Sequence, residues 1–484
     1  MILAIDQGTT GTRALVLDDD GRLRGHAYVE IAQHYPRPGL VEHDPDELWE
    51  SVLTVAHAAL RDADTGASHL SAIGIANQRE TVVAWDRASG RPLHQAIVWQ
   101  DRRTAARCDE LRAAGHERLF RERTGLVVDP YFSGTKLEWL FRHGGVSRDA
   151  AVGTVDAWLA FKLVGAHATD PSNASRTMLY DLHRCDWDGE LCEILGVPRA
   201  ALPEVVPTGG LIGHTSAFGG RVPLYALVGD QQASLYGQRC FDPAAAKCTY
   251  GTGNFVLRTV GDTVPAPVDG LLTTVAWSVG SRFDYALEAS VFVTGAAVQW
   301  LRDGLGIVGS AAETEGLAAS LPSNDGVFFV PALTGLGSPY WDPYARGTIV
   351  GLTRGSTRAH LARAALEAIA YQTADAVSAQ AALVDERLTE LRADGGATAN
   401  GWLMQFQADV LGVPVAVAAR AETTALGAGY LAGVAQGTWT EADLDRISGA
   451  PRRYEPRPDA GDHGRLLADW RRAVERSRRW VADA

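Results

Sequence analysis

Residues 2–20 of the chain read ILAIDQGTTGTRALVLDDD, which is two apolar runs on either side of a polar turn. The run Ile2–Ile5 predicts a buried strand, QGTTGT a tight turn, and Arg13–Leu17 a second strand. The acidic turn DDDG then leads into a third strand over Leu23–Ile31. The chain therefore opens with a strand meander whose first turn is rich in glycine and threonine.

A related pattern returns more than 200 residues later. There, Ala246–Tyr250 and Asn254–Val260 predict strands on either side of a GTG turn at 251–253. Such a repeat predicts an α/β fold in which two similar domains face each other across a cleft, and clefts of this kind are favoured ligand sites. We place the domains at 1–239 and 240–484.

Helices and further strands are predicted between these two patterns and after them. The helices are expected at Pro45–Arg61, with Asp44 as N-cap, at Thr294–Asp303, at Arg358–Leu383 and in the small-residue segment TTALGAGYLAGVAQG; the strands are expected at Ser71–Ala76 and Thr81–Asp86.

Composition excludes several classes of protein. The net charge of −13 argues against a nucleic-acid surface, and no apolar run approaches the length of a membrane span. The five cysteines are scattered without a CxxC pair, as expected in a reducing compartment, and no HExxH zinc motif occurs. We expect a cytoplasmic protein without membrane insertion.

The first turn has the chemistry of a phosphate site. No P-loop motif is present, so phosphates would have to rest on backbone N–H groups, hydroxyls and arginine. Glycines in DQGTTGTR allow close approach, Thr9 and Thr10 add hydroxyls, and Arg13 offers a cation. Asp6 would oppose a phosphate unless Mg²⁺ stood between them, which indicates a metal-site residue. A plain hairpin turn explains the motif equally well on its own.

The segment LVGDQQA places Asp230 where an apolar strand ends and a helix begins. Strand ends of open α/β sheets face ligand crevices, and a carboxylate there can accept a proton from a substrate hydroxyl. Because Asp is also a favoured helix N-cap, the residue alone leaves the two interpretations evenly balanced.

The segment NQRE ends another predicted strand with Arg79 and Glu80 side by side. Buried hydroxyl groups need donors and acceptors, and this pair supplies both, although a surface ion pair is the commoner role for such residues. Trp99 and Phe255 could cover a small carbon skeleton, although core packing is the commoner role for an aromatic side chain. The Tyr131 hydroxyl could reach a ligand, or Tyr131 could be a core residue whose hydroxyl has a partner.

Glycines also mark the segment DGGATANG at 394–401. They would let an adenosine lie close to the backbone, with Asn400 within reach of the base. A plain strand-to-helix turn with a helix cap is the alternative.

Taken together, the motifs resemble the FGGY carbohydrate kinase family of the actin-like, ribonuclease-H-like ATPase superfamily. The resemblance runs from the first residues to about Val434, and it rests on LAIDQGTT, YPRPGLVEHDP, IANQRETVVAWDRASG, AIVWQDRRT, TGLVVDPYFSGTK, TDPSNASRTMLYD, GDQQASLYGQ, TYGTGNFVL, PALTGLGSPYWDPYARGTIVGLTRG, DGGATAN and TTALGAGYLAG. It implies an α/β fold of two ribonuclease-H-like domains across a nucleotide and substrate cleft.

The resemblance also implies an activity, which is ATP-dependent phosphorylation of glycerol to sn-glycerol 3-phosphate with Asp230 as general base. The implied polyol contacts are Arg79, Glu80, Trp99, Tyr131, Asp230, Gln231 and Phe255. The implied nucleotide contacts are Thr9, Thr10, Arg13, Thr252, Gly295, Gln299, Gly396 and Asn400, with Asp6 linked to Mg²⁺. The expected partners are glycerol and ATP, and a homo-oligomer, dimer or tetramer, is expected.

Two other functions stay open on the sequence. One is phosphorylation of a different polyol or ketose, such as erythritol, dihydroxyacetone or xylulose. The other is a non-enzymatic, ATP-gated module of the same superfamily, which would need no polyol pocket.

The chain departs from the family pattern at two places. Where bacterial members that act on glycerol often carry a GGKGGTR-like loop for fructose 1,6-bisphosphate, residues 213–223 read GHTSAFGGRVP, without lysine. That control is therefore not carried over. Ala289 and Thr294 stand where Gly and Ala are expected, and Thr294 adjoins the nucleotide contact Gly295, so an altered nucleotide affinity is expected.

Overall fold

Thirteen strands form one continuous twisted sheet in the computed structural model, which describes residues 1–458 and 461–481. In chain order the strands of this part of the chain are β1 Ile2–Gln7, β2 Gly11–Leu17, β3 Leu23–Glu30, β4 Glu42–His43, β5 Ala72–Asn77, β6 Val82–Trp85, β7 Ala96–Ile97, β8 Ala151–Thr154, β9 Ala168–Thr169, β10 Tyr180–Asp181, β11 Asp186–Trp187, β12 Glu204–Val205, β13 Gly209–Thr215, β14 Val222–Gly229, β15 Ala245–Tyr250, β16 Asn254–Gly261, β17 Leu272–Val279, β18 Arg282–Val291, β19 Phe328–Val330, β20 Thr348–Val350, β21 Glu390–Asp394, β22 Val415–Val417 and β23 Arg452–Tyr454.

Helices cover the faces of the sheet. They are α1 Pro45–Asp62, α2 Ala105–Ala113, α3 Glu117–Thr124, α4 Ser133–Arg142, α5 Val155–Val164, α6 Pro171–Ala174, α7 Gly189–Ile194, α8 Asp230–Gly237, α9 Gly295–Gln299, α10 Glu313–Ala319, α11 Arg358–Ala381, α12 Gly401–Leu411, α13 Thr423–Gln436, α14 Glu441–Ile447 and α15 His463–Ser477. None of the helices in the described ranges is long and apolar enough to cross a membrane.

Each half of the chain builds the same kind of sheet. In the first half, β1, β2 and β3 form an antiparallel meander, and β5 and β14 extend it in parallel beside β1. In the second half, β15, β16 and β18 form the meander, and β21 and β22 extend it in parallel beside β15. The two halves meet where Gly209 on β13 pairs with Val279 on β17. This is the predicted α/β fold of two ribonuclease-H-like units.

The small-residue segment TTALGAGYLAG forms most of helix α13, and the packing of this helix explains its composition. It lies against α8 and against the sheet of the first half, although it comes from the end of the second. A Cβ atom on Gly427 would lie 1.8 Å from the carbonyl oxygen of Ala233 on α8, so only glycine permits this approach. The close contact joins the two halves of the chain.

The predicted elements lie within two residues of the observed ones in the opening meander and around the second turn. Asp44 caps α1 as expected, because its side chain accepts a hydrogen bond from the Asp46 N–H. The helix predicted over 294–303 is shorter: α9 ends at Gln299, and a π-helical turn covers Trp300–Gly304. There, the Leu305 N–H donates to the carbonyl of Trp300, five residues back.

Candidate active site

Three neighbouring strands of the first half bring the candidate residues to one edge of the sheet. Strands β1, β5 and β14 are parallel and adjacent, so their carboxyl ends meet. Asp6 lies near the end of β1, Arg79 two residues beyond β5, and Asp230 directly after β14. This is the edge at which open α/β sheets bind ligands.

Arg79 is the centre of the site and is only 2% exposed. Its guanidinium makes a forked contact with Glu288, with distances of 2.6 Å from Nη1 to Oε2 and 3.2 Å from Nη2 to Oε1. Its Nε atom lies 3.2 Å from Asp230 Oδ1 and 3.8 Å from Glu80 Oε1. Because Arg79 and Glu80 are both buried, the surface ion pair considered from the sequence is excluded.

Glu288 and Arg176 complete this network, and neither was predicted from the sequence. Arg176 Nε donates to Glu80 Oε1 at 2.7 Å, and its Nη2 donates to Glu288 Oε1 at 2.9 Å. Burial alone would raise the pKa of Glu288, but Arg176 and Arg79 together hold it at about 2. Glu288 therefore stays charged and fixes both arginines. The available signal was weak: Glu288 is the one charged residue in the mainly apolar stretch YALEASVFV, and Arg176 is the one charged residue in NASRTML.

Asp230 is the first residue of α8, and the N-cap position belongs to Gly229. Its Oδ1 accepts the Gln231 N–H at 2.7 Å and also faces Arg79 Nε at 3.2 Å. The side chain is 28% exposed, so the carboxylate reaches the cleft. The N-cap interpretation is therefore wrong for this residue, and the carboxylate is held by Arg79 in a fixed position.

Aromatic side chains lie beside the charged network. Trp99 and Tyr131 contact each other edge-to-face at 5.6 Å, and the Tyr131 hydroxyl lies 3.5 Å from Arg79 Nη2. Trp99 Nε1 donates to Thr9 Oγ1 at 2.9 Å, which ties this wall to the first turn. Phe255 lies on β16 and is half-buried; within the described ranges no ring contact joins it to Trp99 or Tyr131.

The first turn places Asp6 and Arg13 opposite each other on β1 and β2. The Gly8 N–H donates to the Gly11 carbonyl at 3.0 Å, and Thr10 at its tip is exposed. Burial, reinforced by the nearby Asp230 carboxylate, raises the pKa of Asp6 to about 7. A buried carboxylate with a second carboxylate nearby forms a location that favours a cation.

Arg13 also lies close to the second half of the chain. Its Nη1 is 3.8 Å from Glu422 Oε1, and its guanidinium lies 5.5 Å from the Tyr28 ring centre. Because Glu422 directly precedes α13, this pair joins the two halves next to the first turn.

The second turn, Gly251–Gly253, borders a cavity of about 360 Å³. The Gly295 N–H donates to the Gly251 carbonyl at 3.1 Å, and the Thr294 hydroxyl lies 2.8 Å from Asn254 Oδ1. Five of the predicted nucleotide contacts line this one cavity: Thr252, Gly295, Gln299, Gly396 and Asn400. The other three, Thr9, Thr10 and Arg13, belong to the first turn and are not among its lining residues.

Asn400 has two roles at this cavity. Its side chain accepts the Leu403 N–H at 2.9 Å and so caps α12, which is the alternative considered from the sequence. It also lines the cavity together with Gly396. The cap and the ligand-facing position are compatible, because the cap fixes the side chain at the cavity wall.

The fold and the site are those of a two-domain phosphotransferase of the actin-like ATPase superfamily, with a charged pocket beside Asp230 and a nucleotide-sized cavity in the second half. The chain belongs to the FGGY family of carbohydrate kinases: residues 1–237 match the N-terminal domain and residues 246–436 the C-terminal domain of that family.

Similar proteins agree with this assignment. The chain is 56% identical to a glycerol kinase of Dechloromonas aromatica, with 99% of this chain and 98% of that protein covered. It is 51% identical to glycerol kinase 2 of Thermotoga maritima, with 99% of each covered. A crystal structure of Plasmodium falciparum glycerol kinase with ADP has a TM-score of 0.92 at 32% identity and covers 98% of each chain.

Proposed function

We propose that this chain transfers the γ-phosphoryl group of ATP to glycerol and forms sn-glycerol 3-phosphate and ADP. The observation that carries the proposal is the buried network of Arg79, Glu288, Arg176 and Glu80 that ends on Asp230 at the cleft. Relatives that are more than half identical over nearly the whole chain are glycerol kinases, which supports the same substrate here.

The pocket beside Asp230 suits a small triol. Every hydroxyl of glycerol both donates and accepts, and Arg79, Glu80 and Tyr131 offer both kinds of partner at fixed positions. Gln231 adds an amide next to Asp230. Trp99 would cover the carbon skeleton from one side and Phe255 from the other. Because the charged groups are already paired and buried, little ordering is left for the ligand to bring about.

Asp230 is the proposed general base. As the terminal oxygen of glycerol bonds to the γ-phosphorus, its proton passes to the Asp230 carboxylate, and the bond from that phosphorus to the β–γ bridging oxygen breaks. The leaving group is ADP. Arg79 keeps the carboxylate in place through the 3.2 Å contact between Nε and Oδ1.

ATP would lie across the cleft between the two turns. Its adenosine fits the cavity lined by Gln299, Gly396 and Asn400, and its phosphates lie between the second turn, with Thr252 and Gly295, and the first turn, with Thr9, Thr10 and Arg13. Closure over the phosphates would exclude water that otherwise hydrolyses ATP.

Mg²⁺ fits next to Asp6. The described residues contain no group of three or more side chains that would hold a metal by themselves, so phosphates and water would supply most ligands. Asp6 and Asp230 give the location its negative charge, and burial together with the Asp230 carboxylate raises the pKa of Asp6 to about 7. When bound, the ion neutralises phosphate charge.

The domain limits and the assembly are further parts of the proposal. A boundary between 239 and 240 lies in the gap between the two family matches, which end at 237 and resume at 246. A cytoplasmic homo-oligomer, dimer or tetramer, stays a prediction, and light scattering after gel filtration measures its mass.

The test is a substrate panel at saturating Mg-ATP, with glycerol, erythritol, dihydroxyacetone and xylulose compared by ADP release. We expect glycerol to give the highest kcat/KM. A higher value for another polyol or ketose would replace the substrate but keep the class of reaction. ADP release that does not depend on any polyol would instead favour an ATP-gated module.

A further inference from the structure

Lysine is rare in this chain, and two of its three lysines lie next to the site. Only three of its 45 basic residues are lysines, namely Lys136, Lys162 and Lys247. Lys136 and Lys247 are fully buried, whereas other buried basic positions, such as Arg79 and Arg176, hold arginine. Two buried positions of this molecule therefore hold a compact ammonium group where others hold a guanidinium.

Lys136 shows what such an ammonium does here. Its Nζ donates to the carbonyl oxygens of Tyr131 at 2.8 Å and Phe132 at 3.2 Å, and also to that of Pro130. Three acceptors thus satisfy its three donors, and the loop that carries Tyr131 is fixed. This lysine acts on the backbone, and its partners explain its burial fully.

Lys247 contacts a side chain of the site instead. It lies on β15, and its Nζ donates to Gln231 Oε1 and, at 2.7 Å, to Thr249 Oγ1. Its surroundings are acidic: the carboxylates of Asp394, Asp230 and Glu288 all interact with it electrostatically. Burial lowers the pKa of Lys247, and Asp394 is the strongest influence in the opposite direction.

The lysine determines how the Gln231 amide is turned. An ammonium has three donors and no acceptor, so the amide must present its oxygen to Lys247. Its nitrogen, which carries two donors, then faces away from the lysine. Gln231 is half-buried directly beside Asp230, and the described residues show no other hydrogen bond to its side chain.

We propose that Lys247 is a positioning residue that fixes the Gln231 amide so that its Nε2 donates, beside Asp230, to the oxygen that undergoes phosphoryl transfer. The inference rests on the proposed function, because it assigns a task to Gln231 within that reaction. The hydrogen bond would stabilise the negative charge on that oxygen while the oxygen transfers its proton to Asp230 and bonds to phosphorus.

An arginine would serve this purpose poorly. A guanidinium has five donors and an ammonium three, and only Gln231 and Thr249 accept from this side chain in the part of the chain that the structure describes, so arginine would leave more donors unpaired than lysine does. The donors left over would be buried without partners, which is costly. Because lysine is rare elsewhere in the chain, its presence at 247 indicates that this position favours an ammonium over a guanidinium.

A double-mutant cycle tests the proposal, with kcat and both KM values as readouts. Lys247→Met keeps the length of the side chain and removes all donors, and Gln231→Ala removes the amide. We expect each to lower kcat roughly 10- to 100-fold with KM for ATP unchanged, as for the loss of one oriented donor. The kcat of the double variant should be no lower than the kcat of the less active single variant.

Gln231→Glu is the decisive third variant. A carboxylate still pairs with Lys247 but cannot donate, so kcat should fall as in Gln231→Ala. Full kcat in this variant, or multiplicative losses in the double variant, would overturn the proposal. Because Gln231→Glu keeps Lys247, this arm remains informative even if Lys247→Met fails to fold.

A control variant and the choice of substrate distinguish a failure of this inference from a failure of the proposed function. Lys162→Met is the matched control, because Lys162 contacts the rings of Trp49 and Trp158 away from the site, and its kcat should not change. The cycle is run with the best substrate of the panel. Failure of glycerol would then refute the proposed substrate, while the cycle still decides the role of Lys247.

Discussion

The two proposed binding regions of this molecule differ in the kinds of residue that line them. The pocket beside Asp230 is made of charged side chains that are buried and paired with one another, with Arg79, Arg176 and Glu288 at 2% exposure or less. The cavity of the second half is lined by the glycines Gly251, Gly295 and Gly396 together with larger side chains, among them Leu366 and Arg302. We therefore expect specificity in the first region to depend on its paired charged side chains, and binding in the second to depend more on the space that its glycines leave.

The difference follows from the ligands proposed for each region. A triol brings no charge, so the protein must supply fixed donors and acceptors and bear the cost of burying them. ATP brings its own charges and a large flat base, so it needs space and N–H groups rather than a charged wall. Substitutions in the pocket should therefore be severe, and those in the cavity mild.

Asp230→Asn should give the largest effect. Loss of the general base should lower kcat by roughly 10²- to 10⁴-fold while ATP binding is retained. Steady-state kinetics and a nucleotide-binding titration measure the two quantities. Since Asn caps helices as well as Asp does, a residue that only supported α8 would tolerate the change.

The matched control for this substitution is Asp44→Asn, because Asp44 caps α1 and serves no proposed chemical role. Its kcat should stay at the wild-type value. Near-normal turnover of Asp230→Asn would remove Asp230 as the base and with it the contrast between pocket and cavity.

Glu288→Gln should destabilise the buried charge network of the pocket. Two buried guanidinium groups would lose their shared carboxylate, which should lower the free energy of unfolding by about 3–5 kcal/mol. Urea unfolding at pH 7 measures this loss. A loss below about 1 kcal/mol would show that the network contributes little to the fold.

The same substitution has a pH signature. The folded-state pKa of Glu288 is about 2, below the ordinary value of 4.5. Its stabilising contribution is therefore complete above about pH 4.5 and is lost as the pH falls towards 2. We expect the stability gap between wild type and Glu288→Gln to narrow over that range, and a constant gap would contradict the assignment.

Arg79→Ala should affect the substrate more than the nucleotide. A charged hydrogen bond contributes about 1.5–3 kcal/mol, which corresponds to a rise in the KM for glycerol of roughly 10- to 100-fold. The KM for ATP should change little, because Arg79 does not line the cavity. Arg118→Ala, which removes an exposed arginine paired with Glu122, is the control. An unchanged KM for glycerol would exclude Arg79 from the pocket.

The sequence predicted the parts of the site that depend on local pattern. Both turns, the strand ends at Asp6 and Asp230, and the neighbours Arg79 and Glu80 follow from short motifs, because their geometry is set by adjacent residues. The long-range partners did not follow. Glu288 lies 209 residues from Arg79 and 112 from Arg176, so Glu288 and Arg176 each appear in the sequence as a charge without a neighbouring partner. Only the folded sheet brings them together.

Thr294→Val should give the smallest effect, and it tests the cavity of the second half. The Thr294 hydroxyl contacts Asn254 Oδ1 at 2.8 Å and the carbonyls of Gly251 and Thr252 at 3.2 and 3.3 Å. The backbone bonds from Thr294, Gly295 and Ala296 to the same turn remain in the variant. Loss of the hydroxyl should therefore cost about 1 kcal/mol, or roughly a 5-fold change in the KM for ATP, with the KM for glycerol unchanged. A change above 10-fold would mean that side chains, rather than the backbone, determine nucleotide binding in this cavity.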